Sequence, residues 1–153
     1  GFVYPSGILD RDQQKDLSNK IKELTGGMGP NVIYDPVGGS YAEPCLRSIA
    51  WEGRYLVIGF AAGADQIPKM PLNLTLLKGC QIIGVFWGAW TGMFPAENQK
   101  NFEELFTMFA EGKINPEASD KFTLDTAADA IAHLKDRKAK GKVVINFYSW
   151  VTD

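Results

Sequence analysis

Short apolar segments alternate with amphipathic helical segments along most of this 153-residue chain, and this alternation constrains the fold more than any other feature. Apolar runs predict strands at residues 32–34, 54–58, 81–87 and 143–147, and residues 2–4 predict the end of a further strand. The run at 54–58 is mostly apolar, as in strands that are covered on both faces of a sheet. Because parallel neighbours need long right-handed crossover connections, the alternation predicts an α/β fold with a doubly wound parallel sheet.

Helices are predicted between these strands. In residues 10–24 the apolar positions recur at helical spacing, and Gly26 stops the pattern as a helix terminus does. A second helix follows the first predicted strand, with Leu46 and Ile49 facing inward. Residues 72–78 predict a short third helix.

Residues 97–111 predict a strongly amphipathic helix. Four apolar side chains share one stripe of it: Phe102, Leu105, Phe106 and Phe109. We expect that stripe to cover an apolar surface. The last helix is predicted to begin at a cap formed by Asp125 or Thr126 and to run to about residue 138, after an extended segment at 121–124.

Composition excludes several classes of partner. Sixteen basic and 18 acidic residues give a net charge of -2 without a basic block, which argues against nucleic acid and anionic membranes as partners. The longest apolar runs are far shorter than the roughly 18 residues that a membrane span needs, and the amino end carries no signal-peptide pattern. Cys45 and Cys80 lack metal-ligand spacing, which predicts buried free thiols in a reducing compartment and a cytoplasmic location.

Glycine-rich segments follow three of the predicted strands, at residues 35–39, 59–63 and 87–89. In an open parallel sheet, ligands bind beyond the carboxyl ends of the strands, and glycine lets a flat ligand lie against the main chain. No segment with GxGxxG spacing leads from a strand into a helix, so the pattern favours a platform for a nicotinamide ring and its ribose over a phosphate site. The same glycines are also ordinary turn residues.

Individual side chains at these ends have two interpretations each. Asp35 is placed to contact a ribose hydroxyl, although an Asp before Pro at a strand end is more often a turn or cap residue. Phe60, Phe86 and Trp87 form either the wall of a cofactor pocket or part of an apolar core. His133, one helical turn from an aspartate on either side, indicates surface pairing or helix packing rather than catalysis.

Seven segments resemble, in order and spacing, the medium-chain dehydrogenase/reductase superfamily and within it the quinone oxidoreductase branch. They are residues 22–27, 32–39, 46–54, 56–60, 67–74, 83–88 and 141–145. The resemblance implies a partial Rossmann domain over residues 1–118, which lacks the first two strands and the glycine-rich loop, and begins near the end of the third strand. Residues 119–153 would be a helix and strand that return to a substrate domain outside this chain.

The resemblance also implies where a cofactor binds. The corresponding positions are Tyr4, Gly38, Gly39, Val57, Ile58, Gly59, Phe60, Val85, Phe86 and Trp87. Tyr4 is similar to a family tyrosine near the adenosine phosphate. NADPH is the implied cofactor, with NADH left open because the discriminating residues follow the missing second strand. No zinc and no catalytic side chain are implied in this part of the protein.

The implied activity is hydride transfer from NADPH to a quinone or enone by the whole enzyme, with this chain inactive in isolation. A homodimer is implied through the edge strand at residues 82–86. Two alternatives remain: a non-enzymatic dimerisation or scaffold module, and an unrelated doubly wound binding domain. The last predicts that Gly39, Gly59 and Trp87 do not cluster along one sheet edge.

Overall fold

The computed structural model describes residues 7–136 and 138–147. Tyr4 and the strand end predicted at residues 2–4 lie outside the described residues. The chain divides into two compact units that meet in sequence between Phe94 and Pro95. The boundary predicted between residues 118 and 119 concerns the domains of a larger protein, and it stays a prediction.

The first unit is built on three parallel strands with helices between them. Its strands are β1 (Val32–Asp35), β2 (Arg54–Val57) and β3 (Gln81–Gly84), and its helices are α1 (Arg11–Leu24), α2 (Ala42–Ser48), α3 (Asn73–Lys78) and α4 (Trp87–Met93). The strand order is β1-β2-β3, with Ile33 opposite Tyr55 and Tyr55 opposite Ile82. The predicted parallel sheet is therefore confirmed.

Helix α1 begins and ends where local chemistry requires. The Asp10 carboxylate accepts a hydrogen bond from the backbone N–H of Gln13 at 2.8 Å, and the Gln13 side chain accepts one from the Asp10 N–H at 3.0 Å. This capping box satisfies two N–H groups that have no partner within the helix. After Thr25 the chain turns through Gly26, whose φ of 63° suits glycine, and the helix cannot continue.

The core of the first unit lies between α2, α3 and the sheet. Ala42, Leu46, Ile49, Tyr55 and Leu74 are its buried members. Leu46 and Ile49 are fully buried, which confirms their predicted inward orientation. Burial of each such side chain stabilises the fold by about 1.5–3 kcal/mol.

The second unit contains α5 (Pro95–Ala110), β4 (Asp120–Thr123), α6 (Ala127–Lys135) and β5 (Val143–Asn146). Strands β4 and β5 pair in parallel, with Phe122 opposite Ile145. Thr126, rather than Asp125, is the N-cap residue of α6, and the helix ends at Lys135 instead of continuing to about residue 138. None of the described helices has the length and apolar character needed to cross a membrane.

Two expectations differ from the structure. The strand predicted at 81–87 ends at Gly84, and Trp87 begins α4, whose first turn is closed by the Trp90 N–H donating to the Phe86 carbonyl at 3.1 Å. A short apolar run does not distinguish a strand from a helix. The second unit by itself does not bury the apolar stripe of α5, since Phe106 is 69% exposed.

Candidate functional site

The carboxyl ends of β1, β2 and β3 lie at one edge of the first unit's sheet, because the three strands are parallel. Beyond β2 and β3 this edge holds an open concavity of about 540 Å³. Its lining residues are Val57, Ile58, Gly59, Phe60, Gly84, Val85 and Phe86. Six of them belong to the ten positions predicted to contact a cofactor.

The other predicted positions lie around the concavity or outside the described residues. Gly38 and Gly39 have positive φ angles of 68° and 58° in the loop after β1. A Cβ atom on Gly38 would lie 3.0 Å from Cδ1 of Phe60, so this glycine supports the wall of the concavity. Trp87, the first residue of α4, is 57% exposed and is not among the lining residues. Tyr4 lies outside the described residues.

Phe60 and Phe86 are not core residues. Their side chains are 43% and 81% exposed, and both line the concavity. The alternative that placed these aromatic residues in a core is therefore wrong for them. Gly39, Gly59 and Trp87 each follow a strand of the same parallel sheet, so they occupy one sheet edge. The alternative of an unrelated doubly wound binding domain predicted that these three residues do not cluster, so the structure argues against it.

Asp35 has the role of a turn residue. Its Oδ1 accepts hydrogen bonds from the N–H groups of Val37 at 2.9 Å and Gly38 at 2.8 Å. Its Oδ2 accepts a hydrogen bond from the Tyr55 hydroxyl. Because both carboxylate oxygens have partners within the unit, the geometry favours the turn interpretation over a ribose contact.

Backbone hydrogen bonds connect the segments after the three strands. The Ile58 N–H donates to the Asp35 carbonyl at 2.9 Å, and the Ala61 N–H donates to the Pro36 carbonyl at 3.0 Å. Between the second and third segments, the Val85 N–H donates to the Val57 carbonyl at 2.9 Å. The three segments therefore form one connected rim.

Two titratable groups lie beneath this rim. Burial, and then the hydrogen bond to Asp35, raise the pKa of the Tyr55 hydroxyl well above its ordinary value. Burial, and then the charge of Asp35, raise the pKa of the Cys45 thiol from 9.0 to about 12. Both groups hold their protons at neutral pH, so Tyr55 acts as a hydrogen-bond donor and Cys45 is not a thiolate nucleophile.

Sequence reasoning missed Tyr55 and Gly84. Tyr55 lies inside an apolar strand, yet a buried tyrosine hydroxyl requires a polar partner, and this signal indicated that a nearby acceptor had to exist. No sequence signal distinguishes Gly84 from an ordinary strand-end glycine.

His133 belongs to the second unit and packs against its strand. Its Nε2 lies 3.4 Å from Oδ1 of Asp120, and its ring centroid lies 5.7 Å from that of Phe122. The helix-packing interpretation is supported. The contacting carboxylate is Asp120 on β4 rather than an aspartate one helical turn away.

The described residues do not provide a metal site. Within residues 7–136 and 138–147, no group of three or more His, Cys, Asp and Glu side chains is arranged to hold a metal ion. Cys45 and Cys80 are half-buried free thiols.

Comparison with known proteins finds a matching dehydrogenase family and quinone oxidoreductase-like relatives. A family model described as zinc-binding dehydrogenase matches residues 7–145. The quinone oxidoreductase-like protein 2 homolog of Nematostella vectensis is 39% identical over 134 residues, which cover 87% of this chain and 36% of that protein. The quinone oxidoreductase-like protein 2 of Rattus norvegicus is 38% identical over 133 residues, covering 87% of this chain and 37% of that protein. The chain thus spans little more than a third of the length of these relatives.

Solved structures show the same architecture. A quinone oxidoreductase of Pseudomonas syringae pv. Tomato superposes with a TM-score of 0.67 at 26% identity, covering 85% of this chain and 39% of that one. A mycobacterial protein solved in complex with NADPH superposes with a TM-score of 0.72, covering 94% of this chain and 42% of that one. Its identity is 23%, so that likeness concerns the fold alone.

Proposed function

This chain belongs to the zinc-binding dehydrogenase family, in the quinone oxidoreductase branch of the medium-chain dehydrogenases, and we propose that it supplies the nicotinamide side of an NADPH site. The whole enzyme is proposed to transfer hydride to a quinone or enone. The observation that carries the proposal is the concavity at the ends of β2 and β3, where six positions predicted from the family resemblance meet.

The lining residues fit a flat ring and its ribose. Phe60 and Phe86 offer exposed aromatic surface, and Gly59 keeps the main chain open between them. A Cβ atom on Gly59 would lie 3.3 Å from the Pro36 carbonyl oxygen, so glycine allows the two loops to approach closely. When bound, NADPH supplies a hydride from the nicotinamide C4.

The residues of this chain would bind and orient the cofactor without moving a proton. Tyr55 and Cys45, beneath the rim, both hold their protons at neutral pH. The described residues do not fit a zinc ion, and the proposed transfer needs none. We propose that the phosphate-binding loop and substrate domain come from protein outside this chain, which leaves the chain inactive in isolation.

A non-enzymatic dimerisation module is the second candidate function. It is favoured by β3, which is an edge strand of the three-stranded sheet and carries the 38%-exposed Ile82. A homodimer through residues 82–86 is compatible with either function. A cytoplasmic location remains a prediction.

A titration with the two halves of the cofactor tests the enzymatic proposal. We expect reduced nicotinamide mononucleotide to shift the amide NMR signals of Gly59, Phe60 and Val85, with a dissociation constant on the order of 1 mM, equivalent to about 4 kcal/mol. We expect 2′,5′-ADP to leave them unchanged. Equal shifts with both ligands, or none with the nicotinamide half, would contradict the proposal. Micromolar binding of intact NADPH would contradict the absence of a phosphate site.

Two exposed phenylalanines provide a matched pair of variants for this titration. Phe86 lines the concavity and is 81% exposed, whereas Phe106 on α5 is 69% exposed and does not line it. Neither Phe86→Ala nor Phe106→Ala creates a buried cavity, so both variants should remain folded. Only Phe86→Ala is expected to weaken binding of the nicotinamide half, by about two- to tenfold for the loss of an aromatic contact worth roughly 0.5–1.5 kcal/mol.

A further inference from the structure

We propose that Asp35 and Tyr55 form a positioning pair that holds the two loops of the nicotinamide concavity in their binding arrangement. The inference rests on the proposed function, because the concavity is taken to be the cofactor site. The pair itself contacts no cofactor. Its role is to connect the buried core of the first unit to the residues that line the site.

Asp35 is the point where the two loops meet. Its Oδ1 accepts from the N–H groups of Val37 and Gly38 in the first loop. Its main-chain carbonyl accepts from the N–H groups of Ile58 at 2.9 Å and Gly59 at 3.4 Å in the second. One residue therefore receives two main-chain donors from each loop, the first loop through its carboxylate and the second through its main-chain carbonyl, so both loops are anchored at Asp35.

Tyr55 gives the carboxylate a fixed reference point. Its side chain is 2% exposed and packs in the core cluster with Leu46 and Ile49. The ring has little freedom to move in that environment, and its hydroxyl donates to Oδ2 of Asp35. The remaining carboxylate oxygen is thereby held toward Val37 and Gly38. A buried aromatic ring thus sets the orientation of a surface loop.

Packing alone does not hold the wall of the concavity. Behind it lies a cavity of about 130 Å³ whose lining includes Asp35, Tyr55, Val57, Phe60 and Met70. Val57 and Phe60 line both this cavity and the concavity in front. Val57 packs against the buried core cluster, but Phe60 is 43% exposed and borders both open spaces, so packing gives the Phe60 part of the wall little resistance to movement. The hydrogen bonds to Asp35 provide that resistance.

Gly38 transmits the constraint to Phe60. It has a φ of 68° and a ψ of -135°, a conformation that favours glycine. Its hydrogen bond to Asp35 keeps the loop at Phe60, where a Cβ atom on Gly38 would be only 3.0 Å from the ring. A chain of contacts therefore runs from Tyr55 through Asp35 and Gly38 to a lining residue of the site.

Tyr55→Phe tests the pair, since it removes one hydroxyl and keeps the packed ring. We expect the dissociation constant for reduced nicotinamide mononucleotide to rise about fivefold, and hydrogen exchange at the Val37 and Gly38 amides to accelerate by about the same factor. Asp35→Ala should raise the dissociation constant and accelerate hydrogen exchange more than Tyr55→Phe does. Asp35→Asn should recover most of the loss, because its side-chain oxygen still accepts from the two amides and its amide group can donate to the Tyr55 oxygen.

Ser48→Ala is the matched control. Ser48 is fully buried in the same unit and donates a hydrogen bond of 2.7 Å to the Cys45 carbonyl, but it does not line the concavity. We expect it to lower the melting temperature about as much as Tyr55→Phe while leaving exchange at Val37 and Gly38, and nicotinamide binding, unchanged.

The outcomes separate the inference from the proposed function. If Tyr55→Phe only lowers the melting temperature, as Ser48→Ala does, the positioning role is overturned. If the unmodified chain binds no nicotinamide half, the proposed function fails. Exchange at Val37 and Gly38 then still decides whether the pair holds the loops: accelerated exchange supports that role and unchanged exchange overturns it.

Discussion

Cys45 connects stability to alkaline pH. Its thiol has a pKa raised from 9.0 to about 12, chiefly by burial and secondarily by Asp35. The folded chain holds this proton more tightly than the unfolded chain, so the contribution to stability is present below pH 9 and is lost as pH rises toward 12. The largest slope expected from one such group is about 1.4 kcal/mol per pH unit.

Cys45→Ala should therefore flatten the fall in unfolding free energy between pH 9 and 11. Urea unfolding at several pH values measures this change. Above pH 10, a residual slope from Tyr55 should persist in the variant, because the pKa of that hydroxyl is also raised. Identical slopes in the variant and the unmodified chain would show that burial does not hold the thiol neutral.

The positions of single residues were predictable where local chemistry determines them. Glycines at the strand ends and a turn-forming Asp35 follow from residue type and place in the chain. The hydrogen-bond partner of Asp35 could not be predicted in this way, because Tyr55 is 20 positions away and reaches the carboxylate only through the pairing of β1 with β2. A contact of that kind depends on strand register, which no local pattern in this chain encodes.

At the scale of elements, the capping box of α1 should contribute measurably to stability. Asp10→Ala removes the side-chain acceptor for the Gln13 N–H and should lower the free energy of unfolding by about 1 kcal/mol. Asp10→Asn retains an acceptor oxygen and should lose much less. Chemical denaturation of the three proteins provides the measurement, and equal losses in both variants would show that charge rather than capping matters.

Helical periodicity predicted α1 and α5 well, whereas the apolar segment after Gln81 was misread. Its residues alternate too little to define a period, and Gly88 and Gly92 weaken the helical signal of α4. The stripe of α5 shows a different limit. Periodicity identifies a helix face as apolar, but it contains no information about the surface that face contacts.

For the whole molecule, strand–helix alternation predicted a parallel α/β fold, and the family match and solved relatives confirm the partial Rossmann architecture. Topology was accessible because parallel strands with helical crossovers have few possible arrangements. The activity of the whole protein could not be predicted in the same way, since the chain covers only 36% of its Nematostella vectensis relative.

The proposed dimer can be tested at the free edge of β3. The Gln81 and Val85 N–H groups point toward β2, so the Gly84 N–H, one residue out of phase, is expected to face the free edge. Gly84→Pro removes that donor, and no atom lies within 4 Å of a Cβ atom placed there. Sedimentation should show a dimer for the unmodified chain and for Gly84→Ala, but a monomer for Gly84→Pro. A monomeric unmodified chain would contradict the dimer and the scaffold function.

The spacing of the paired strands also bears on the order of folding. The first paired residues of β1 and β2 are 22 positions apart in sequence, those of β2 and β3 are 27 apart, and those of β4 and β5 are 23 apart. These pairs are Val32 with Arg54, Arg54 with Gln81, and Asp120 with Val143. Loop-closure entropy grows only with the logarithm of length, so these pairings differ by about 0.2 kcal/mol. Chain entropy therefore selects no pairing to form first. We expect side-chain burial to favour the pairing of β1 with β2, because the fully buried Leu46 and Ile49 lie in the connection between them.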